Sequence, residues 1–416
     1  MKSATPLLLF GSALQAFALS VDHQKPLTSS ETAAPPYRDS LLSLHKSLID
    51  IPSVTYSGRE DAAAHFLADY LSHRGYATKL QAIPPRHDAG ANQTRYNVLA
   101  WPAARSVFDP LRSRKPRVLV SSHIDVVPPF IPYSISPSTG PVTGDTVIHG
   151  RGSVDAKGSV AAQITAVEEL LANGEVNAED IMLLYVAGEE TTGDGMQFFS
   201  KAKRELDPDA EFEAAVFGEP TGNKLACGHK GISGGWLYAK GKAGHSGYPE
   251  LGKSATELLM RALVKALDTD LGSSERYGNT TVNVGRLEGG VAGNVIAADA
   301  KALLTVRIAA GNYSTGFEIM RERFEKILHD TDDEAFTMEW NYSYGPVECN
   351  CDVEGFETIV VNYGTDVSNL KGKHTSYLYG PGTILVAHGD NEALKVRDLE
   401  EAVEGVKRII KYALSQ

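Results

Sequence analysis

The chain has 416 residues, 42% hydrophobic, 22% charged and 8% aromatic, the balance of a folded globular protein and not of a disordered, collagenous or coiled-coil one. At about 100–200 residues per domain the length holds two domains or one large domain with an insertion, and it excludes a small disulfide-stapled scaffold. Forty Lys and Arg against 52 Asp and Glu leave a net charge of -12, with no basic run able to track a phosphate backbone, so nucleic acid is not expected as a partner.

The first twenty residues carry Lys2, an apolar stretch from Leu7 to Leu19 and small residues at Ala16, Ala18 and Ser20. They read as a secretory signal peptide over 1–20, cleaved after Ala18 or Ser20, because a membrane anchor needs a longer apolar run. No other segment approaches 18 consecutive apolar residues, so no membrane partner is expected of the mature chain. Four Asn-x-Ser/Thr sequons, at Asn92, Asn279, Asn312 and Asn341, fit passage through a glycosylating pathway. Secretion and an extracellular location are the expectation.

Residues 21–36 are rich in Ser, Thr and Pro without apolar periodicity and read as a linker or short pro-segment. The fold is expected to start near Tyr37. Leu41, Leu44, Leu48 and Ile49 make one apolar helix face, and Ala63, Phe66, Leu67, Tyr70 and Leu71 make another. Short β-type runs follow at 96–101, 118–121, 181–186 and 214–217, with a helical stretch at 159–172, which predicts an α/β sheet buried on both faces. After about Gly228 the order becomes strand 234–241, helix 254–268, strands 280–287 and 301–309, helix 316–329 and strand 336–343, a ferredoxin-like βαββαβ module. The remainder predicts a helix over 356–370, a strand over 383–387 and an amphipathic helix over 399–414. The organisation expected is a catalytic domain of 37–228 plus 345–416, interrupted by an inserted module of 229–344.

Three Cys are too few for a disulfide framework. In an extended chain Cys349 and Cys351 lie along one face without the loop a bridge between them needs, so the open alternatives are a bridge from Cys227 to one of them or buried small apolar residues.

The residues that carry chemistry stand at the ends of predicted strands, where open α/β sheets place their functional groups. His123-Ile-Asp125 follows the 118–121 run; His123 is a candidate metal ligand, and Asp125 a carboxylate able to accept from its other ring nitrogen or to orient another group. The string GRGSVDAKG over 150–158 projects Asp155 from a glycine-rich turn, able to bridge two cations or to cap the following helix. Its spacing is that of neither phosphate-binding loop pattern. Glu189 and Glu190 end a strand of buried character, where two adjacent carboxylates repel and lose hydration unless cations or protons offset them. Glu219 follows a further short strand, and His388 lies in the string VAHGDNE. Two His and several carboxylates without Cys form an oxygen and nitrogen set suited to zinc, cobalt or manganese.

The strings SSHIDVVP, GRGSVDAKG, AGEE and EPT, in this order, resemble the M20 metallopeptidases, the group of glutamate-type carboxypeptidases, aminoacylases and acetylornithine deacetylase. The resemblance covers nearly the whole mature chain and is nearest to secreted fungal carboxypeptidase-like members. It implies a zinc-peptidase-like α/β catalytic domain with a mixed central sheet and an inserted lid. It also implies two zinc ions: His123 and Glu219 on one, Glu190 and His388 on the other, Asp155 on both. Asp125 would orient His123, and Glu189 would be the general base. In the lid, His245 and Asn294 would contact the transition-state oxyanion and Arg307 the substrate carboxylate, with the Gly380–Thr383 loop, Gly382 above all, and Lys230 at the same end. Members of the family dimerise through the lid, and His245 then acts across the interface. Glu at position 219 goes with the carboxypeptidase and N-deacylase branches, whereas the pair Cys349 and Cys351 departs from the family pattern. The expected substrate is a peptide cleaved at its C-terminal residue. The alternatives are an N-acyl amino acid cleaved by a deacylase and, in a different class, a non-catalytic secreted binding protein on the same fold.

Overall fold

The computed structural model describes residues 33–85, 93–102, 116–206 and 211–416. The expected signal peptide, most of the 21–36 segment and the sequon at Asn92 lie outside the described residues. A compact unit spans Pro35–Gln416.

Two sheets organise that unit. The central one is built from β1 (Ala77–Ile83), β2 (Arg95–Trp101), β3 (Val118–His123), β4 (Ile181–Val186), β5 (Ala214–Phe217) and β6 (Leu225–His229). A second sheet takes β7 (Gly231–Lys240), β8 (Thr281–Gly289), β9 (Asp299–Ile308) and β10 (Phe336–Trp340). The chain then returns to the first with β11 (Val347–Glu348), β12 (Thr358–Val361) and β13 (Thr375–Leu378). The central order is β1-β2-β4-β3-β5-β13-β6-β11, with β12 pairing β6. Strands β4, β3, β5 and β13 run parallel, while β2 runs antiparallel to β4 and β6 antiparallel to β13, so the fold is α/β with a mixed sheet.

All six residues of β3 and all six of β4 are buried. That follows from helices on both faces, which leave no polar side to the strand and make its sequence a continuous apolar run. One face packs against α1 (Arg38–Ile49), α2 (Glu60–His73), α3 (Lys157–Ala172) and α7 (Val396–Ser415), which share one apolar core. The other carries α4 (Asp194–Leu206) and the loop around Val367, in a core with Leu184, Met196 and Phe217.

The second sheet has the order β8-β9-β7-β10, antiparallel throughout, with α5 (Ala255–Asp268) and α6 (Gly316–Thr331) packed on one face. Alternation of buried and partly exposed residues along β9 marks a sheet covered on that face alone. Ser254 caps α5 by accepting from the Glu257 N–H at 3.3 Å.

Three expectations fail locally. Residues 356–370 are not a helix: the β-branched run Thr358–Val361 pairs in parallel with β6, and a single 3-10 turn follows at Asp366–Ser368. Residues 383–387 are not a strand. The place beside β5 is taken by β13, and Gly382 at φ +71° turns the chain away, leaving one bridge between Thr221 and Thr383 before a series of turns. Cys349 and Cys351 do not share a face, because β11 ends at Glu348 and the chain bends as the Asn350 N–H donates to Ser376 O at 2.8 Å. Cys227 and Cys351 form a disulfide, and Cys349 is the buried free thiol, so each of the two alternatives holds for a different residue.

Candidate metal centre

The expected ligands converge at the carboxyl ends of the parallel strands. His123 closes β3 and Glu219 stands two residues beyond β5, so both are fixed by the sheet ladder. The Nδ1 N–H of His123 donates to the Asp125 carbonyl at 3.0 Å. This leaves Nε2 facing Asp155 Oδ1 at 3.0 Å and Glu219 Oε1 at 3.9 Å. Asp125 thus orients the ring through its backbone. Its carboxylate stands 3.7 Å from Nδ1 and does other work: it accepts the N–H groups of Glu189 and Glu190, each at 3.2 Å, and the Thr55 hydroxyl at 2.8 Å. One buried carboxylate therefore fixes the turn that carries both glutamates.

That turn leaves β4 through Gly188 at φ +84°, where a Cβ would lie 2.2 Å from Asp194 Oδ1. Its two ends are pinned to β2. Asn97 accepts the Ala187 N–H at 3.3 Å and donates to Gly195 O at 2.9 Å, and the Arg95 guanidinium forks onto Asp194, one arm at 3.0 Å. The 150–157 turn is held from below by α1: His45 donates to Ser153 O at 3.0 Å, and the Lys157 ammonium, pulled down to about 7 by burial, donates to Leu48 O and Ile51 O at 2.9 and 2.8 Å. The Asp155–Ala156 peptide bond is cis. His388 sits in the turns beyond Thr383 with φ +62°, a conformation that costs an L-residue about 1–2 kcal/mol. Its Nε2 lies 3.0 Å from Glu190 Oε2 and 3.3 Å from Asp155 Oδ2.

The result is two groups of potential ligand atoms, His123, Asp155 and Glu219, and Asp155, Glu190 and His388, with Asp155 common to both. In each, the atoms lie within 4.8 Å of one another. Burial holds the carboxyls of Glu189 and Glu219 well above the usual range, with neighbouring acids adding to the effect, and lifts Glu190 to about 7. Asp155 goes the other way; burial opposes its ionisation, but hydrogen bonds from His123 and His388 outweigh it. Burial lowers His123, yet Asp155 and the surrounding carboxylates win and its pKa is raised well above normal. Glu190 Oε1 is buried without any hydrogen-bond partner. Three acids pushed toward neutrality, one orphaned oxygen and two imidazoles turned toward them fit a pair of divalent cations, because cations offset this charge where protein groups do not. Glu189 lies outside both groups.

Asp155, Glu189, Glu190, Glu219 and His388 line a cavity of about 940 Å³, which Arg307 enters from β9 of the second sheet. Burial pulls the Arg307 pKa down, and among the described residues its guanidinium has no hydrogen-bond or ion-pair partner. The remaining wall includes Tyr342, Tyr344 and Tyr363 with Thr365 and Asn369, which the sequence does not single out because they come from segments with no chemical motif.

Six expected residues do not line the cavity: His123 and Asp125 are buried beside it, 1% and 0% exposed, and four others lie elsewhere. His245 and Asn294 are neighbours of each other, the Ser246 N–H donating to Asn294 O at 3.1 Å, but neither lines it. Gly382 packs on Val154, and the Lys230 ammonium is taken by Asn279 O at 2.7 Å.

Fold and centre together are those of a metal-dependent hydrolase. A family model described as Peptidase family M20/M25/M40 matches residues 119–412, and the chain belongs to this family. A peptidase M20 domain-containing protein of Sordaria macrospora is 57% identical over 93% of this chain and 88% of its own. A probable carboxypeptidase of Aspergillus fumigatus is 43% identical over 90% and 87%. Among solved structures, a tripeptidase from Staphylococcus aureus superposes with a TM-score of 0.69 at 19% identity over 91% of this chain and 99% of that one. A dinuclear metal-binding M20 peptidase from Bacillus subtilis superposes at 0.64 and 14% identity over 91% and 99%. The chain is thus an M20 peptidase with a candidate metal-binding cluster.

One acid near the centre yields a pH prediction. Burial, with Asp125 nearby, raises Glu60 to about 8, against the pull of Arg95, whose guanidinium is already committed to Asp194. A raised carboxyl pKa means the folded state keeps a proton that the unfolded chain has released. Its stabilisation is present below about pH 4.5 and is lost as pH rises toward about 8. Glu60→Gln is therefore expected to flatten the decline in urea stability over that window by a few kcal/mol, and an unchanged slope would remove Glu60 from this role.

Proposed function

We propose that the protein is a secreted zinc carboxypeptidase. Its ligands would be His123 and Glu219 for one ion, Glu190 and His388 for the other, and Asp155 for both. The observation that carries this reading is one cavity lined by Asp155, Glu219, Glu190 and His388 from the two ligand groups, by a carboxylate outside them, Glu189, and by the unpaired guanidinium of Arg307. A nitrogen and oxygen donor set without Cys suits zinc, cobalt or manganese, and zinc is the ion of this reading. Zinc held by these residues would supply Lewis acidity toward a substrate carbonyl.

Glu189 is the general base: one of its carboxylate oxygens takes a proton from the attacking water and returns it to the leaving amine nitrogen. Its place in the cavity, outside both ligand groups, suits a group that must both accept and release that proton. Arg307 holds the free carboxylate of the C-terminal residue through two parallel hydrogen bonds, and the low exposure that depresses its pKa also strengthens that contact. The module that carries Arg307 acts as a lid over the cavity. The name of the Aspergillus relative supports the carboxypeptidase reading.

His245 and Asn294 act from a second copy of the chain. Their separation from the cavity supports this, together with the exposed apolar residues Met260, Val264 and Leu267 on one face of α5 and Leu287 on the edge strand β8. The Cys227–Cys351 disulfide and the exposed sequon residues Asn279, Asn312 and Asn341 support passage through an oxidising, glycosylating compartment. No helix of the described residues is long and apolar enough to cross a membrane.

Release of amino acids from N-blocked dipeptides and from N-acetyl amino acids tests the reaction. Chelator-sensitive cleavage of the dipeptides is expected, with Glu189→Gln keeping its metal but losing about 10²- to 10⁴-fold in kcat. Arg307→Met should cost about 10- to 100-fold in kcat/KM on free C-termini and nothing on amidated ones. Cleavage confined to acetyl amino acids makes the protein a deacylase, and silence on both makes it a binding protein. Light scattering should find a dimer, and mixed Glu189→Gln and His245→Ala subunits should recover activity that neither variant has; a fully active monomer contradicts the shared site. In culture medium the chain should begin at Leu19 or Val21 and carry N-glycans, whereas a cell-retained chain with residues 1–20 intact contradicts secretion.

A further inference from the structure

Beyond the ligands, a single buried acid ties together the two turns that deliver Asp155 and His388. Glu392, 1% exposed, stands just before the short strand Ala393–Lys395. Its Oε1 accepts three backbone N–H groups of the 150–156 turn, from Gly152 and Val154 at 3.0 Å and from Asp155 itself at 3.1 Å. Its Oε2 accepts Nη1 of Arg151 at 2.6 Å, and the same guanidinium donates Nη2 to the His388 carbonyl at 3.4 Å and Nε to Pro129 O at 3.3 Å. The Gly150 N–H closes the ring on Glu392 O at 3.2 Å.

We infer that Glu392 and Arg151 are positioning residues for the cation position formed by Asp155, Glu190 and His388, an inference that rests on the two-cation reading above. The turn wraps its N–H groups around one carboxylate oxygen, with Gly152 at φ +86°, where a Cβ would lie 2.8 Å from Val126 and 2.9 Å from Lys157. Remove the carboxylate and three buried N–H groups lose their acceptor, Arg151 loses its counter-charge, and the grip on His388 loosens at a backbone that is already left-handed. Two of that position's three ligands depend on the pair. The other position depends on it only through Asp155, because His123 and Glu219 are held at the ends of β3 and β5 and make no hydrogen bond to Glu392 or Arg151.

Zinc titration of the purified full chain, by calorimetry or chelator competition, separates the two positions. The unaltered protein is expected to bind two ions. Glu392→Gln should hold the first within about threefold of the unaltered affinity and lose about 10- to 100-fold on the second. Arg151→Lys keeps a cation beside Glu392 but lacks the arm on His388, and it should weaken the second ion alone by a smaller factor. If Glu392→Gln does not fold by circular dichroism, Arg151→Lys decides by itself. Equal weakening of both ions, or two ions at unaltered affinity in the folded variants, overturns the inference, since a merely structural role lowers Tm without splitting the sites. Fewer than two ions on the unaltered protein overturns the two-cation reading and this inference with it.

Discussion

Acid groups kept out of water govern this structure. Asp155, Glu189, Glu190 and Glu219 meet around one cavity, and an ion taken from water into a protein costs several kcal/mol unless something of opposite charge meets it. Despite that cost, the chain holds the acids in place with very little freedom. His123 and Glu219 leave parallel strands of the central sheet, Glu189 and Glu190 hang on backbone N–H groups gripped by Asp125, and Asp155 stands in a turn wrapped around Glu392. Each support is itself buried and hydrogen-bonded, so a side chain cannot retreat to solvent without breaking a second contact. A site built this way carries its acids on an ordered frame.

What could be read from the sequence follows the same division. Strand-end ligands were legible because a sheet covered on both faces writes its strands as apolar runs, and a carboxylate or imidazole directly after such a run stands out. The amphipathic α7 and the alternating β9 were legible for the corresponding reason, one-sided burial. The stretch 356–370 was not, because a short apolar run fits helix and strand alike and only its partner, β6, decides between them. Residues 383–387 look like a strand for the same reason, yet Leu385 ends 88% exposed, since β13 already fills the place beside β5. Glu392 was invisible as a support: an acid before a helix reads as an ordinary complement to the helix dipole, and nothing local says that its oxygens face a turn more than two hundred residues earlier. The role of Asp125 was half legible, since H-x-D predicts an orienting contact but not that the backbone carbonyl makes it.

The two ligand groups are unequal in a way that the sequence gives no sign of. One is buried throughout and two of its members stand at strand ends; the other includes His388, whose side chain is 54% exposed and whose backbone sits in turns. Equal chemistry on unequal scaffolds means unequal tolerance. A small displacement of the 383–392 segment leaves His123 and Glu219 where the sheet put them, yet opens the space between His388 and Glu190. The dependence of that segment on Arg151 and Glu392 is therefore not redundant with the sheet, as a third anchor on His123 would be.

The cavity extends the same logic to its far wall. Arg307 pairs in register with Thr281 on β8 and Ile232 on β7, so its position is set by the second sheet, while Glu189 is set by the first. The chain crosses between the sheets twice, at Lys230 and again between Trp340 and Val347, and the crossings are tied to each other where Tyr344 and Ile232 exchange backbone hydrogen bonds at 3.0 Å. Gly231 lies at that junction, where a Cβ would fall 2.2 Å from Tyr344 O, so the close approach of the crossings depends on its lacking one. The distance from guanidinium to carboxylate is thus fixed by the packing of two separate sheets and not by any local motif. That is why residue types at strand ends announce a hydrolase, while the cavity wall formed by Tyr342, Tyr344 and Tyr363 around that junction carries no motif and takes shape only when the two sheets are packed together.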